Sequence, residues 1–305
     1  MRITVSRARD IGGRPYQEDR LLAQKFAHDR FIIAAIMDGH AGGQCSAFLQ
    51  RQLMDSIYIE MLSNGYEALG TEQLRKALHS LHLQWERCPE YNRSGSTLSG
   101  LIIDKFRPFD IWFFNLGDSQ ALMFDIDGTV KHRTDIHDLS EKRRKQVQAR
   151  YPSVSISNDI FGGKRVRGQN SSLNLSGAYG DTVDPILRKC LIKDVDIRKV
   201  SIDKIGSPRD FPMTVVLGSD GLWDELKHDE VKRIVFDTYR RAQTPGYKLI
   251  STPADELMQA VKQRGLKKDN VSIIVMTLEQ DKTRNKSNLS TPRPTSSLLP
   301  LLSPS

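Results

Sequence analysis

Apolar positions in the first 280 residues fall into two kinds of run. Short, nearly continuous stretches rich in β-branched and aromatic residues predict strands at 2–6, 31–37, 97–103, 110–115, 120–125, 213–217 and 271–278. Other stretches carry a helical period. Leu74, Ala77, Leu78, Leu81, Trp85 and Cys88 share one face and predict a helix over 72–88; Phe48, Leu49, Leu53 and Ile57 do the same for 43–62. Thr252 followed by Pro253 reads as an N-cap and first helical residue, opening a helix with Ala254, Leu257, Met258 and Val261 on one face. Val231, Ile234 and Val235 mark another helix near 228–242, and the basic segment 139–150 reads as an exposed one.

The strands come in runs with helix pairs between them, which is α+β patterning rather than strand–helix alternation. Strands as apolar as Phe31–Met37 need cover on both faces. The expected architecture is therefore a central two-sheet antiparallel β-sandwich flanked by helix pairs. No Pro/Gly/Ser-rich linker interrupts residues 1–280, so they are expected to form one domain. Residues 281–305 are dominated by Ser, Thr and Pro and read as a disordered tail, with Thr291-Pro292 and Ser303-Pro304 as candidate phosphorylation dipeptides.

Composition narrows the class. With 38% hydrophobic and 27% charged residues, the chain is neither collagen-like nor wholly disordered. Cys45, Cys88 and Cys190 give no disulfide framework and no CxxC metal site, which favours a reducing compartment. The start, MRITVSRARDIGG, lacks the apolar core of a secretory signal, and no apolar run is long enough to span a bilayer. The expected setting is intracellular, cytoplasm or nucleus, away from membranes. The net charge is +8, of which the last 25 residues carry +3. That balance suits an anionic substrate such as a phosphorylated protein. No nucleic-acid recognition motif or basic-aromatic stripe is present, so no specific nucleic acid is expected.

The placing of the acidic residues is unusual. Asp38 ends an apolar strand and precedes Gly39 and His40. Asp220 ends TVVLGSD and precedes Gly221; Asp118 follows Gly117 directly after IWFFNL. Asp269 stands just before the apolar run Val271–Leu278, and Glu18-Asp19 lies in GGRPYQEDR. Any one of these is ordinary turn chemistry, because Asp and Gly both favour turns. Their recurrence at the ends of buried strands points elsewhere. Several carboxylates brought together cannot all ionise cheaply without a cation, and oxygen-only ligand sets select hard ions such as Mg²⁺ or Mn²⁺.

The ordered set of Arg14, Glu18-Asp19, Asp38-Gly39-His40-Ala41-Gly42, Gly95-Ser96-Thr97, Asn115-Leu116-Gly117-Asp118-Ser119, Gly180-Asp181, Ser219-Asp220-Gly221-Leu222-Trp223-Asp224 and Asp269-Asn270-Val271-Ser272 resembles the metal-dependent protein phosphatase 2C family. The resemblance runs from about residue 4 to residue 278. It implies a β-sandwich flanked by helices with a metal site at one end. It also implies a protein serine/threonine phosphatase, acting as a monomer on phosphorylated proteins, with two Mn²⁺ or Mg²⁺ ions arming a hydroxide. By match of motif, Asp38 bridges the two metals, the Gly39 carbonyl completes one shell, and Asp220 and Asp269 ligate the other ion. Glu18 and Asp19 hold metal-bound waters. Asp118 matches the aspartate of a weaker third metal site, with turn former as its rival. Arg14 matches the arginine that grips the substrate phosphate, and His40 the histidine proposed as general acid. Asp181 reads as structural and Trp223 as core.

The pattern also departs from the family. Gln120 and Gly177 stand where arginines are common, and the usual Asp-His pair is split as Asp135-Ile136-His137. Region 182–212, with mixed charges and three prolines, occupies the position of the family's variable flap. These departures make a catalytically weak binding or regulatory module the alternative reading. A metal-dependent nuclease is a further rival without a groove signal. A P-loop fails because Asn158 and Arg165 stand where Gly and Ser/Thr are needed, and His79 with His82 lack a third zinc ligand.

Overall fold

The computed structural model describes residues 2–63, 69–88, 93–105, 110–158, 164–169, 171–202, 211–244, 251–265 and 269–279. In chain order the strands are β1 (Arg2–Asp10), β2 (Arg20–Phe26), β3 (Phe31–Met37), β4 (Gly39–His40), β5 (Gly95–Ser96), β6 (Leu98–Asp104), β7 (Asp110–Leu116), β8 (Gln120–Phe124) and β9 (Val130–Arg133), then β10 (Ile156–Asn158), β11 (Lys164–Arg167), β12 (Ser172–Leu173), β13 (Tyr179–Gly180), β14 (Asp196–Ser201), β15 (Met213–Gly218) and β16 (Val271–Glu279). The helices are α1 (Gln44–Leu62), α2 (Thr71–Glu86), α3 (Glu141–Arg150), α4 (Pro185–Cys190), α5 (Asp220–Trp223), α6 (His228–Gln243) and α7 (Pro253–Gln263).

Two five-stranded sheets, ordered β14-β7-β6-β3-β2 and β1-β16-β15-β8-β9, form the centre of the fold. Every ladder within them is antiparallel. The side-chain period of two explains the layers. Along β3, Ile32, Ala34 and Ile36 face the second sheet, while Phe31, Ile33, Ala35 and Met37 face α1 and α2. Along β16, Ile274, Met276 and Leu278 fill the inter-sheet core, while Val271, Ile273 and Val275 meet α6 and α7. The result is the expected α+β sandwich with a helix pair on each outer face. Thr252 caps α7 as expected, accepting from the Asp255 N–H in a capping box.

Three strands of the two large sheets, β2, β9 and β14, lie outside the expected set, as do the short strands β4, β5 and β10 to β13. β2 and β14 are the edges of one sheet, and only one or two residues of each are fully buried. Edge strands do not show the continuous apolar run that marks a central strand. β14 falls inside the segment read as a flap, so part of 182–212 belongs to the sandwich: Asp196–Ser201 pairs with Asp110–Asn115 of β7. A satellite unit stands apart from the sandwich. The sheet β10-β11-β12 with α3 and α4 has its own small core of Leu139, Val147, Val154, Val166, Leu175 and Leu187. Helix α3 is exposed as expected, burying only Val147. Among the described residues no helix is long and apolar enough to cross a membrane. The tail expected at 281–305 lies outside the described residues.

Candidate metal centre

Antiparallel pairing places the residues just after β3, β7 and β15, and just before β2 and β16, at one end of the sandwich. Asp38, Asp118 and Asp220 meet there, each offering a carboxylate oxygen within 4.8 Å of the others. They line a cavity of about 690 Å³ together with Arg14, Glu18, His40, Asp181 and Asp269.

Thr97 ties two of the acidic turns together. Its N–H donates to the Asp38 carbonyl (2.8 Å), its Oγ1 accepts from the Asp38 N–H (3.1 Å) and it meets Ser119 Oγ at 2.8 Å. His137 grips the next turn twice. Its N–H donates to the Gly117 carbonyl (2.8 Å) and its Nδ1 accepts from the Gly117 N–H (3.0 Å). Nδ1 is therefore the acceptor, so Nε2 carries the hydrogen and donates to Asp196 Oδ2 at 3.0 Å. The loop 11–18 is held by Asn270, whose Nδ2 donates to the carbonyls of Ile11 (2.7 Å) and Tyr16 (3.1 Å) while its Oδ1 accepts from the Glu18 N–H (2.7 Å). Glu18 Oε1 in turn accepts from the Gly42 N–H at 2.5 Å. A Cβ at position 39 would lie 2.5 Å from the Glu18 carbonyl oxygen, so only glycine lets these two backbones touch.

The electrostatics are those of an uncompensated acid cluster. Burial first, then the charges of Asp19, Asp220, Asp118 and Asp269, raise Asp38 well above the carboxylate range. Burial and the neighbouring Asp118, Asp269 and Asp224 do the same to Asp220. Burial pushes Asp118 and Asp19 up to about 6. Asp19 is fully buried, and among the described residues neither of its carboxylate oxygens, nor Asp220 Oδ1, has a hydrogen-bond partner. Such oxygens suit a hard divalent cation and its ordered waters. The donor set, all oxygen with no thiolate, fits magnesium or manganese.

Arg14 and Asp269 stand to one side. Arg14 Nη2 contacts Asp269 Oδ2 at 2.5 Å, and Asp269 is not in the close carboxylate trio; Asp118 is. Burial works against the Arg14 charge, but Asp269, Glu18 and Asp220 outweigh it and raise its pKa. His40 sits on the small sheet β13-β5-β4. Its Nε2 lies 3.0 and 2.9 Å from the two oxygens of Asp181. Burial disfavours the imidazolium, yet Asp181 overcomes it and the His40 pKa is raised. A Cβ on Gly95 would occupy the space of this pair.

Asp181, expected to be structural, is the partner of His40. Its one local signal in the sequence is that it follows Gly180; in the fold it adopts a left-handed φ of 56°. The contact with His40 spans 141 positions and has no sequence signature. At the departures from the family pattern, other contacts are present. Gln120 bridges the Thr134 carbonyl (3.1 Å) and His228 Nε2 (2.8 Å). Next to Gly177, Lys193 donates to the carbonyls of Ala178 (2.9 Å) and Gly180 (2.7 Å). Trp223 is half-buried rather than pure core, and its indole N–H reaches the Gly218 carbonyl at 2.9 Å.

Comparison with known proteins gives a consistent answer. The family model described as protein phosphatase 2C matches residues 16–269. Protein phosphatase 2C 57 of Arabidopsis thaliana is 27% identical over 310 residues, covering 90% of this chain and 74% of that protein. Protein phosphatase 1L of Bos taurus is 28% identical over 246 residues, covering 74% and 61%. Among solved structures, the serine-threonine phosphatase 2C of Toxoplasma gondii superposes with a TM-score of 0.71 at 18% identity, covering 90% of this chain and 94% of that one, a likeness of fold. A sex-determining protein of C. elegans superposes at 0.73 with 25% identity, covering 90% and 64%.

Proposed function

The chain belongs to the protein phosphatase 2C family and is a protein serine/threonine phosphatase, and from that premise we propose that it hydrolyses phosphoserine and phosphothreonine at the carboxylate centre with two Mn²⁺ or Mg²⁺ ions and a weaker third. The observation that carries this reading is the meeting of Asp38, Asp118 and Asp220 from three separate strand ends, their carboxylate oxygens within 4.8 Å of one another. Asp38, Asp220 and Asp118 would hold the ions, aided by the Gly39 carbonyl and Asp269, with Glu18 and Asp19 orienting bound waters. Bound divalent ions supply charge neutralisation for the phosphoryl oxygens and a water of lowered pKa.

The chain's own residues do the rest. Arg14, at the cavity rim, presents a planar guanidinium to the phosphate dianion, and Asp269 holds that fork in place at 2.5 Å. His40 supplies a proton. Asp181 takes Nε2 and favours the imidazolium, which leaves Nδ1 as the nitrogen that donates to the departing serine or threonine oxygen. Gly95 leaves room for that pair, and Thr97 and His137 hold the acidic turns still.

The test is turnover of a phosphoserine peptide, p-nitrophenyl phosphate and duplex DNA by the purified chain, with Mn²⁺, with Mg²⁺ and with EDTA. The expected outcome is metal-dependent release of phosphate from the peptide, abolished by EDTA and restored by metal, with DNA intact. Peptide turnover indifferent to EDTA, or cleavage of the DNA instead, contradicts the reading.

A further inference from the structure

A second cavity, of about 410 Å³, opens between α3, α4 and the segment 190–194. Its walls carry Arg143 and Arg150 of α3, Arg188 and Lys189 of α4, and Lys193, whose ammonium is taken by the carbonyls of Ala178 and Gly180, against the one carboxylate of Asp194. Arg188 Nε lies 3.6 Å from Glu86, a loose pair with more than half of the arginine side chain exposed. Among the described residues no carboxylate lies within 4.0 Å of a side-chain nitrogen of Arg143, Arg150 or Lys189. Asp196, which feels the charge of Arg143, is taken by His137.

Basic residues at helix C-termini have an ordinary use, since they offset the exposed carbonyls. That accounts for Arg150, Arg188 and Lys189, which stand in the last turns of their helices. It does not account for Arg143, which stands in the first turn of α3, where the helix field disfavours a cation. Nor does it explain why two helices aim their basic ends at one cavity. Four cations gathered around a recess cost repulsion that an anion would relieve. Guanidinium forks suit phosphate in particular.

The position relates the two cavities. Residues Asp184, Pro185 and Leu187 of the α4 region line the carboxylate cavity, whereas Arg188 and Lys189 line the basic one. The two cavities thus meet along a six-residue helix ~9 Å long, and three to five extended residues span roughly 10–18 Å, enough to pass its length.

We propose that this basic cavity is a docking site for a second phosphate on the substrate polypeptide, three to five residues from the phosphate being removed. The site selects multiply phosphorylated proteins. The assignment rests on the phosphatase reading above only for its consequence in turnover; binding of the second phosphate stands apart from it.

The experiment uses the full chain with Mn²⁺ and peptides carrying one phosphoserine, alone or with a second phosphoserine or a glutamate four residues to either side. The second phosphoserine is expected to raise kcat/KM for the first by about tenfold, and the glutamate by less. Arg150→Glu/Lys189→Glu removes that preference and leaves p-nitrophenyl phosphate turnover unchanged. A control of equal charge, Arg2→Glu/Lys25→Glu, keeps the preference. The proposal is overturned by equal turnover of all the peptides, by a preference that survives in the cavity variant, or by one lost equally in the control. Competition by single-stranded RNA as strong as by the doubly phosphorylated peptide also overturns it. Should nothing be turned over, the phosphatase reading fails, and anisotropy binding of the same labelled peptides in EDTA still decides for or against the cavity.

Discussion

Carboxylates stand at both ends of the sandwich, and the two ends treat them oppositely. At the far end, Asp104 closes β6, Asp110 opens β7 and Asp125 follows β8, all of them buried. Each has a cation. Arg30 reaches Asp104 through Nε (3.2 Å) and Nη2 (2.8 Å). Lys199 lies 2.6 Å from Asp110, which also accepts from Ser201 Oγ at 2.5 Å. Lys131 lies 2.9 Å from Asp125, whose other oxygen accepts two backbone N–H groups. At the near end, Asp38, Asp118 and Asp220 face one another. The same residue type at the same kind of position thus serves as a sealed strand end on one side and a charged vessel on the other. What separates them is whether the chain supplies the cation itself.

An identical substitution at the two ends puts that difference to its hardest test. Asp38→Asn or Asp220→Asn is expected to lower turnover by about 10³-fold or more, since charge stabilisation worth several kcal/mol is lost. The fold survives, because the metal-free trio gains nothing from its third negative charge. Near-normal rates in both variants would contradict the assignment of a metal centre. His40→Ala comes next, with a loss of roughly 10²-fold on phosphoserine peptide. The loss is smaller on p-nitrophenyl phosphate, whose leaving group needs less protonation; equal losses on both substrates would count against a proton donor. At the far end, Asp104→Asn leaves Arg30 with a neutral partner and is expected to cost roughly 2 kcal/mol in urea unfolding. Its activity per folded molecule stays unchanged. A variant that is stable but inactive would erase the contrast between the ends.

The near end was legible because several acidic turns repeat one arrangement, an apolar run, an aspartate and a glycine. The sandwich was legible for a similar reason: central strands such as Phe31–Met37 are apolar at every position. The far end shows how little a single strand-end aspartate says. Asp104 also closes an apolar run, and nothing local reveals that Arg30, 74 positions away, neutralises it. Asp181 stayed structural in the sequence reading because its partner is equally remote. The edge strands Arg20–Phe26 and Asp196–Ser201 were missed because an edge need not be continuously apolar. Which carboxylates share the closest contact also depends on tertiary geometry: Asp118 joins the trio while Asp269 turns to Arg14.

A pH scan of metal-free protein sharpens the comparison further. Asp19 and Asp118 have folded pKa values raised to about 6 from 3.8, so between those values the folded chain binds protons that the unfolded chain has lost. Their contribution to stability is fully present below 3.8 and is lost as pH rises through about 6. In EDTA the melting temperature should therefore be higher at pH 5 than at pH 7.5 by roughly a few degrees. Mn²⁺ should close that gap. A gap of the same size in Asp118→Asn would place its origin outside Asp118.

The smallest effect separates the two jobs of His137. Its Nδ1 accepts the Gly117 N–H beside Asp118, and its Nε2 donates to Asp196. Asparagine places a side-chain carbonyl near the position of Nδ1, whereas glutamine places its amide near that of Nε2. If His137 matters because it holds the Asp118 turn, His137→Asn keeps the useful contact and His137→Gln loses it. His137→Gln is then expected to raise the Mn²⁺ concentration for half-maximal activity by about tenfold, the usual cost of removing a supporting hydrogen bond behind a metal ligand. His137→Asn should stay near the parent value. The reverse order would mean that the link to Asp196 on β14 matters more than the grip on Gly117. The near end would then owe its shape to the sheet edge rather than to the turn that carries Asp118.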